Sequence, residues 1–331
     1  LQGDAQYTVS SSIVSSYSGS LAEVAVSFAG MAPYLNKDGE PGLQFDVQND
    51  HWTCNEADID CLPEYQAVGF KDFDDFGWNP IEYSNTSCAG QANAVAQAAN
   101  PCTVHHFTMS TTDLADDNQP RVKFVMHITT QPVSIAGNKV TPDDAKLDVE
   151  LAYDWSAAPA ACGGACSLAL IAITGGKVTT GSGGRVWTAN GDGSVSSSGH
   201  ATFSNEGSKS GYFSWSGEAS IAGATVNVYT SQITGEDVQE MSDICKDRGL
   251  SALLDVECWV AGVWLAVYET FKLFGWELRL QFFSVAEIQP ARVIWDPRVG
   301  AIDCSVNEDD ALCQDGAGML APLVALLSLL F

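Results

Sequence analysis

Carboxylates are the groups with which this chain could do chemistry, and they come in runs. Asp72, Asp74 and Asp75 fall within four residues, Asp116 and Asp117 are followed by Asn118, and Asp143–Asp144 and Glu308–Asp310 repeat the theme. Calcium takes six to eight oxygen ligands at about 2.3–2.6 Å, and loops rich in Asp and Asn supply them. A calcium site of irregular type at Asp72, Asp74, Asp75, Asp116 and Asp117 is one reading; a solvated acidic surface is the other. A helix–loop–helix calcium loop is excluded, because Phe76 stands where an Asp or Asn is needed and Tyr83 where the bidentate Glu should be.

Other reactive patterns are missing. There is no G-x-S-x-G, no H-E-x-x-H and no Walker sequence. Histidines are His51, His105, His106, His127 and His200. On a strand, the neighbours His105 and His106 point to opposite faces, which argues against a shared metal. Hydrolysis of a glycoside needs two carboxyls about 5–9 Å apart in a cleft. The 41 acids and nine Trp hold those ingredients, and Trp52, Trp78 and Trp187 stand in loop-like text where sugar stacking competes with core packing.

The balance of 15 Lys+Arg against 41 Asp+Glu gives a net charge of −26, which repels a phosphate backbone and excludes nucleic acid as a partner. With 46% hydrophobic residues the chain can build a core, and it has no apolar run long enough to be a spanning helix.

Ten cysteines fall in local pairs: Cys54/Cys61, Cys88/Cys102, Cys162/Cys166, Cys245/Cys258 and Cys304/Cys313, with separations of 7, 14, 4, 13 and 9. Short-loop disulfides formed in an oxidising compartment are expected; sequence leaves their connectivity open. The single sequon, Asn85-Thr86-Ser87, makes Asn85 the candidate for N-glycosylation. The chain begins Leu1-Gln2-Gly3 without Met, which fits removal of a signal peptide. It ends in 13 uncharged residues, Met319–Phe331, preceded by a polar stretch and by Gly316-Ala317-Gly318. As a helix that tail spans about 20 Å, short of a roughly 30 Å hydrocarbon core. Polar spacer, small residues and apolar tail resemble a glycosylphosphatidylinositol-anchor signal, with attachment at Ser305, Asp315 or Gly316. The alternative is a retained tail packed in a core or subunit interface.

The elements that must position these groups read as strands. Arg121–Thr130 alternates apolar and polar, and Lys146–Trp155 does so almost perfectly. Gly-rich turns punctuate 162–224, including a hairpin signal at Asn190–Gly193. Residues 54–102 read as a stapled loop with one helix near Gln91–Ala99, and 235–250 as a short helix. The aromatic-rich 251–288 fits either strand or helix. The expected fold is all-β: an antiparallel β-sandwich with Gly-rich hairpins, a disulfide-stapled insertion and minor helix. It would form one domain over 1–304, with two sandwiches divided near 160 as the alternative, and a spacer and tail at 305–331.

Together these features point to a secreted or cell-surface protein with a structural, adhesive or recognition role, with possible calcium and with extracellular proteins, glycans or copies of itself as partners. A lipid anchor would hold it to the membrane if the tail is processed. A self-assembling filament or coat subunit, and a carbohydrate-active enzyme or metal-binding protein, are the other readings.

Overall fold

The computed structural model describes residues 6–9, 14–18, 23–35, 71–88, 102–177, 185–188, 199–204, 209–233, 256–285 and 287–303, with single positions between 235 and 246. Two antiparallel layers account for nearly all of them. The first sheet runs β1 (Gln6–Val9), β2 (Val14–Ser18), β3 (Glu23–Leu35), β11 (Cys166–Lys177), β17 (Trp276–Val285) and β16 (Ala224–Ile233), with the two-residue β4 (Lys71–Asp72) on β3. The second runs β5 (Glu82–Ser87), β6 (Thr103–Ser110), β7 (Val122–Thr129), β10 (Asp144–Leu151), β19 (Arg298–Asp303), β14 (Lys209–Trp215), β13 (Gly199–Ser204) and β12 (Arg185–Thr188). Strand β18 (Val293–Trp295) lies beside the far half of β10 and carries β15 (Glu218–Ile221) on its other side. A separate hairpin joins β8 (Val133–Ile135) to β9 (Asn138–Val140).

Strand β16 joins the layers. Its residues Ala224–Asn227 pair with β15 in the second sheet, and Val228–Ile233 pair with β17 in the first. The β15–β16 turn holds Ala222 and Gly223 at φ of 52° and 81°, the geometry of a two-residue turn whose twist matches its strands. Strands from either side of residue 160 alternate in both sheets: β10 lies between β7 and β19, and β11 between β3 and β17.

Side-chain alternation decides which face of each strand is buried. In β10, Ala145, Leu147, Val149 and Leu151 face inward and Asp144, Lys146, Asp148 and Glu150 outward. The alternation read through Trp155 ends as strand at Leu151. Asp154 caps a one-turn 3-10 helix at Trp155–Ala157, and the Trp155 indole donates to the Pro290 carbonyl at 2.9 Å. Strand β11 is buried on both faces and reads as a near-continuous apolar run. Inner-facing aromatic rings join the sheets: Phe28 stacks on Phe124 at 5.1 Å, and Phe283 meets Trp295 at 4.6 Å and Trp215 at 5.3 Å. The layers approach so closely at Gly176 that a Cβ there would lie 2.3 Å from the Phe203 ring.

The ambiguous stretch 251–288 divides into both structures. An α-helix, α1 (Val256–Leu273), ends where Gly275 takes a φ of 75°, and β17 begins at Trp276. Gly275 in the left-handed region is the usual helix stop, since no Cβ opposes it. Of the helix expected at 235–250, Gly235, Gln239, Ser242, Asp243 and Lys246 are helical and the rest lies outside the described residues. The same holds for the helix expected at 91–99 and the turn at 190–193. Within the stretch read as a stapled loop, Glu82–Ser87 forms a strand, β5.

Candidate functional site

Register assembles the site. On the outward face of the second sheet, Ser84, His106, His127, Lys146 and Arg298 stand opposite one another in a row across β5, β6, β7, β10 and β19. Two further residues convert that row into a hydrogen-bonded chain. Thr86 Oγ1 meets His106 Nε2 at 2.9 Å, His106 Nδ1 meets His127 Nδ1 at 2.7 Å, and His127 Nε2 meets Asp148 Oδ2 at 2.8 Å. The other Asp148 oxygen accepts from the Lys146 ammonium, which also lies 3.1 Å from Asp296 Oδ2. The Lys146 side chain is only 1% exposed, so its charge is held almost wholly by these two carboxylates.

The chain has a direction. Asp148 as a carboxylate only accepts, so His127 Nε2 carries a proton. With both rings neutral, His127 Nδ1 is then an acceptor, His106 Nδ1 donates to it, and His106 Nε2 accepts the Thr86 hydroxyl proton. One added proton reverses the last bond: His106 Nε2 then donates to Thr86. A second proton would set two N–H groups against each other across 2.7 Å and break the pair. The arrangement has room for one added proton, and it passes the change to β5 through the Thr86 hydroxyl.

Charge and burial set the affinities. Burial pushes the Asp148 carboxyl up, but the His127 and Lys146 hydrogen bonds outweigh it and hold the group at about 2. Burial, with His127 adding to it, holds the His106 ring below the ordinary histidine range; Asp148 pulls the other way and His105 adds slightly to the fall. Further along this face, Tyr212 donates to Asp144 at 3.0 Å, with the Arg298 guanidinium over the Tyr212 ring. Lys123, Glu150, Arg292 and Asp117 form a second charged chain.

The opposite side of the same edge is aromatic. Tyr83 packs on Phe107 at 5.3 Å and lies parallel to His105 at 6.0 Å, with its hydroxyl 2.9 Å from His105 Nδ1. Asn85 Nδ2 donates to the Tyr83 hydroxyl at 3.3 Å. His105 and His106 thus serve opposite faces, each tying β5 to the sheet through a hydroxyl.

The acidic candidates have local employment. Asp72 caps the turn Phe73–Asp75 by accepting from the Asp74 N–H, while Asp74 and Asp75 are exposed. Asp117 is gripped by Arg292 through two bonds at 2.8 and 2.9 Å, which hold its carboxyl at about 2, and Asp116 is exposed beside it. Among the described residues, no three His, Cys, Asp or Glu side chains gather as a metal site. Trp78 donates to the Phe73 carbonyl and packs near Phe124; Trp52 and the Trp187 side chain lie outside the described residues.

Among the described residues two disulfides are in place. Cys88–Cys102 closes the end of β5 onto the start of β6, and Cys162–Cys166 closes the loop before β11. Cys54, Cys61, Cys245, Cys304, Cys313, the Cys258 side chain, and the anchor candidates Ser305, Asp315 and Gly316 lie outside the described residues. The His106–His127–Asp148 chain was not foreseen from sequence. Its nearest sequence signal is the alternation of β7 and β10, which assigns His127, Lys146 and Asp148 to the polar face but names no partners. No protein-family model matches this chain, and no curated protein matches it in sequence.

Proposed function

We propose that this chain is an extracellular protein with a structural, adhesive or recognition role, held at the cell surface by a lipid anchor at its C-terminal end. The observation that carries the reading is the pair of short-range disulfides, Cys88–Cys102 and Cys162–Cys166, on an all-β sandwich. Bonds of this kind persist where the medium is oxidising. The net charge of −26 keeps such a surface soluble. No helix among the described residues is long and apolar enough to cross a membrane. The test is the unreduced peptide mass of protein from its native source. Oxidised Cys88–Cys102 and a glycolipid-bearing C-terminus near Ser305 to Gly316 are expected. Reduced cysteines would refute the extracellular reading, and a chain ending at Phe331 would remove the anchor.

One observation favours a second reading, a self-assembling subunit. The end of α1 presents Leu273 at 85% and Phe274 at 72% exposure, beside the exposed Phe271. Clustered apolar side chains of this size mark contact surfaces more often than free surface. Sedimentation velocity over a concentration series tests it: concentration-dependent association abolished by Leu273→Ser with Phe274→Ser supports assembly, and a monomer throughout excludes it.

A further inference from the structure

We infer that Asn85 carries an N-linked glycan whose first sugar ring seats on Tyr83 and His105. This rests on the extracellular reading above. Three observations converge on it. The sequon lies within β5, whose six side chains are all exposed, so Asn85 is reachable. Asn85 and Ser87 complete the sequon two residues apart, and strand alternation puts both on one side of β5. The atom that would bear the sugar is already placed, since Asn85 Nδ2 lies 3.3 Å from the Tyr83 hydroxyl and Asn85 stands opposite His105 in register.

The chemistry balances with a lipid-diphosphate-linked oligosaccharide as donor. A bond forms between Asn85 Nδ2 and the anomeric carbon of the first sugar. The bond from that carbon to the diphosphate oxygen breaks, and the diphosphate leaves as the amide gives up one proton. A sugar so attached begins beside the near-parallel Tyr83 and His105 rings, with Tyr83 still 54% exposed. The C–H face of a sugar packs well on such aromatic surface.

The experiment expresses the full chain in a eukaryotic secretory host, maps Asn85 by peptide mass, and measures hydrogen exchange of β5 amides before and after enzymatic removal of the glycan. Occupied Asn85 is expected, with β5 exchange about 5-fold slower in the glycosylated form, the ratio that about 1 kcal/mol gives. Tyr83→Ala should erase that difference and Tyr83→Phe should keep most of it. A bare Asn85 in protein whose Cys88–Cys102 bond has formed overturns the inference while leaving the extracellular reading intact. An occupied Asn85 with equal exchange in both forms overturns the seat. Reduced Cys88 and Cys102 in the native protein is the separate outcome that removes the extracellular reading.

Discussion

Asp148→Asn is the substitution that tests the hydrogen-bonded chain most directly. The change keeps the size of the side chain and removes its charge. One carboxylate oxygen accepts from His127 at 2.8 Å and the other from Lys146. An amide offers only one acceptor, so its NH2 must face a donor on one side. The magnitude follows from the carboxyl's affinity, held at about 2 against an ordinary 3.8. At roughly 1.4 kcal/mol per pH unit, that depression is worth about 2.5 kcal/mol. The side chain is 30% exposed, and solvent screening brings the effect down to about 1–2 kcal/mol. The sign is fixed by linkage. A carboxyl whose affinity is depressed on folding contributes its stability above the unfolded value, and loses it as pH falls from about 4 towards about 2. Urea melts of wild type and variant at neutral pH and at intervals down to about pH 3 supply the assay. The variant should be weaker at neutral pH, with the gap closing across the acid window. A gap that is absent at neutral pH, or unchanged on acidification, would show that Asp148 does not hold His127 and Lys146 as described.

Four further outcomes follow from the same structure. Because the His106 ring is held below the ordinary 6.5, the unfolded chain takes up its proton first, so stability is full above that value and falls as pH drops through it. His106→Gln should flatten this part of the stability–pH curve, and an unchanged slope would count against the histidine pair. Replacing Cys88 and Cys102 together by Ala opens a loop with a sequence separation of 14 and should cost about 3 kcal/mol in chemical denaturation. Gly176→Ala drives a methyl into the Phe203 ring and should cost about 1–3 kcal/mol, as overpacking does; a neutral effect would mean the sheets are less tightly apposed. Since Asp117 is engaged by Arg292 and Asp72 by its own turn, a chelator should leave the thermal midpoint unmoved, and a clear fall would reveal a bound cation.

How legible the molecule was depends on whether a feature is local. Strands β7 and β10 announced themselves because every second residue is apolar, and Cys88/Cys102 and Cys162/Cys166 paired as their short separations suggested. Strand β5 left no such trace. Glu82–Ser87 buries no side chain, so it has no apolar period to read, and its strand character comes wholly from pairing with β6. Residues 251–288 failed for the opposite reason. Its apolar and aromatic residues are dense enough to fit both periods, and Gly275 with its left-handed φ marks where helix becomes strand.

The site belongs to the least legible class. Alternation places His127, Lys146 and Asp148 on a polar face, but the partner of each is chosen by register between strands. His106 and His127 stand 21 residues apart, and Asp117 and Arg292 stand 175 apart. A slip of one residue between β6 and β7 would turn His106 away from His127 and expose one of the apolar faces. The inward-facing rows Phe107–Met126–Leu147 and Met109–Phe124–Val149, buried except for the partly exposed Phe107, forbid that slip. The core thus sets the alignment of the outer face, and the histidine chain is a consequence of how Phe124 and Met126 pack. Changing the size of either side chain should therefore shift the His106 titration, read by NMR across the pH range, and an unmoved titration would refute the link.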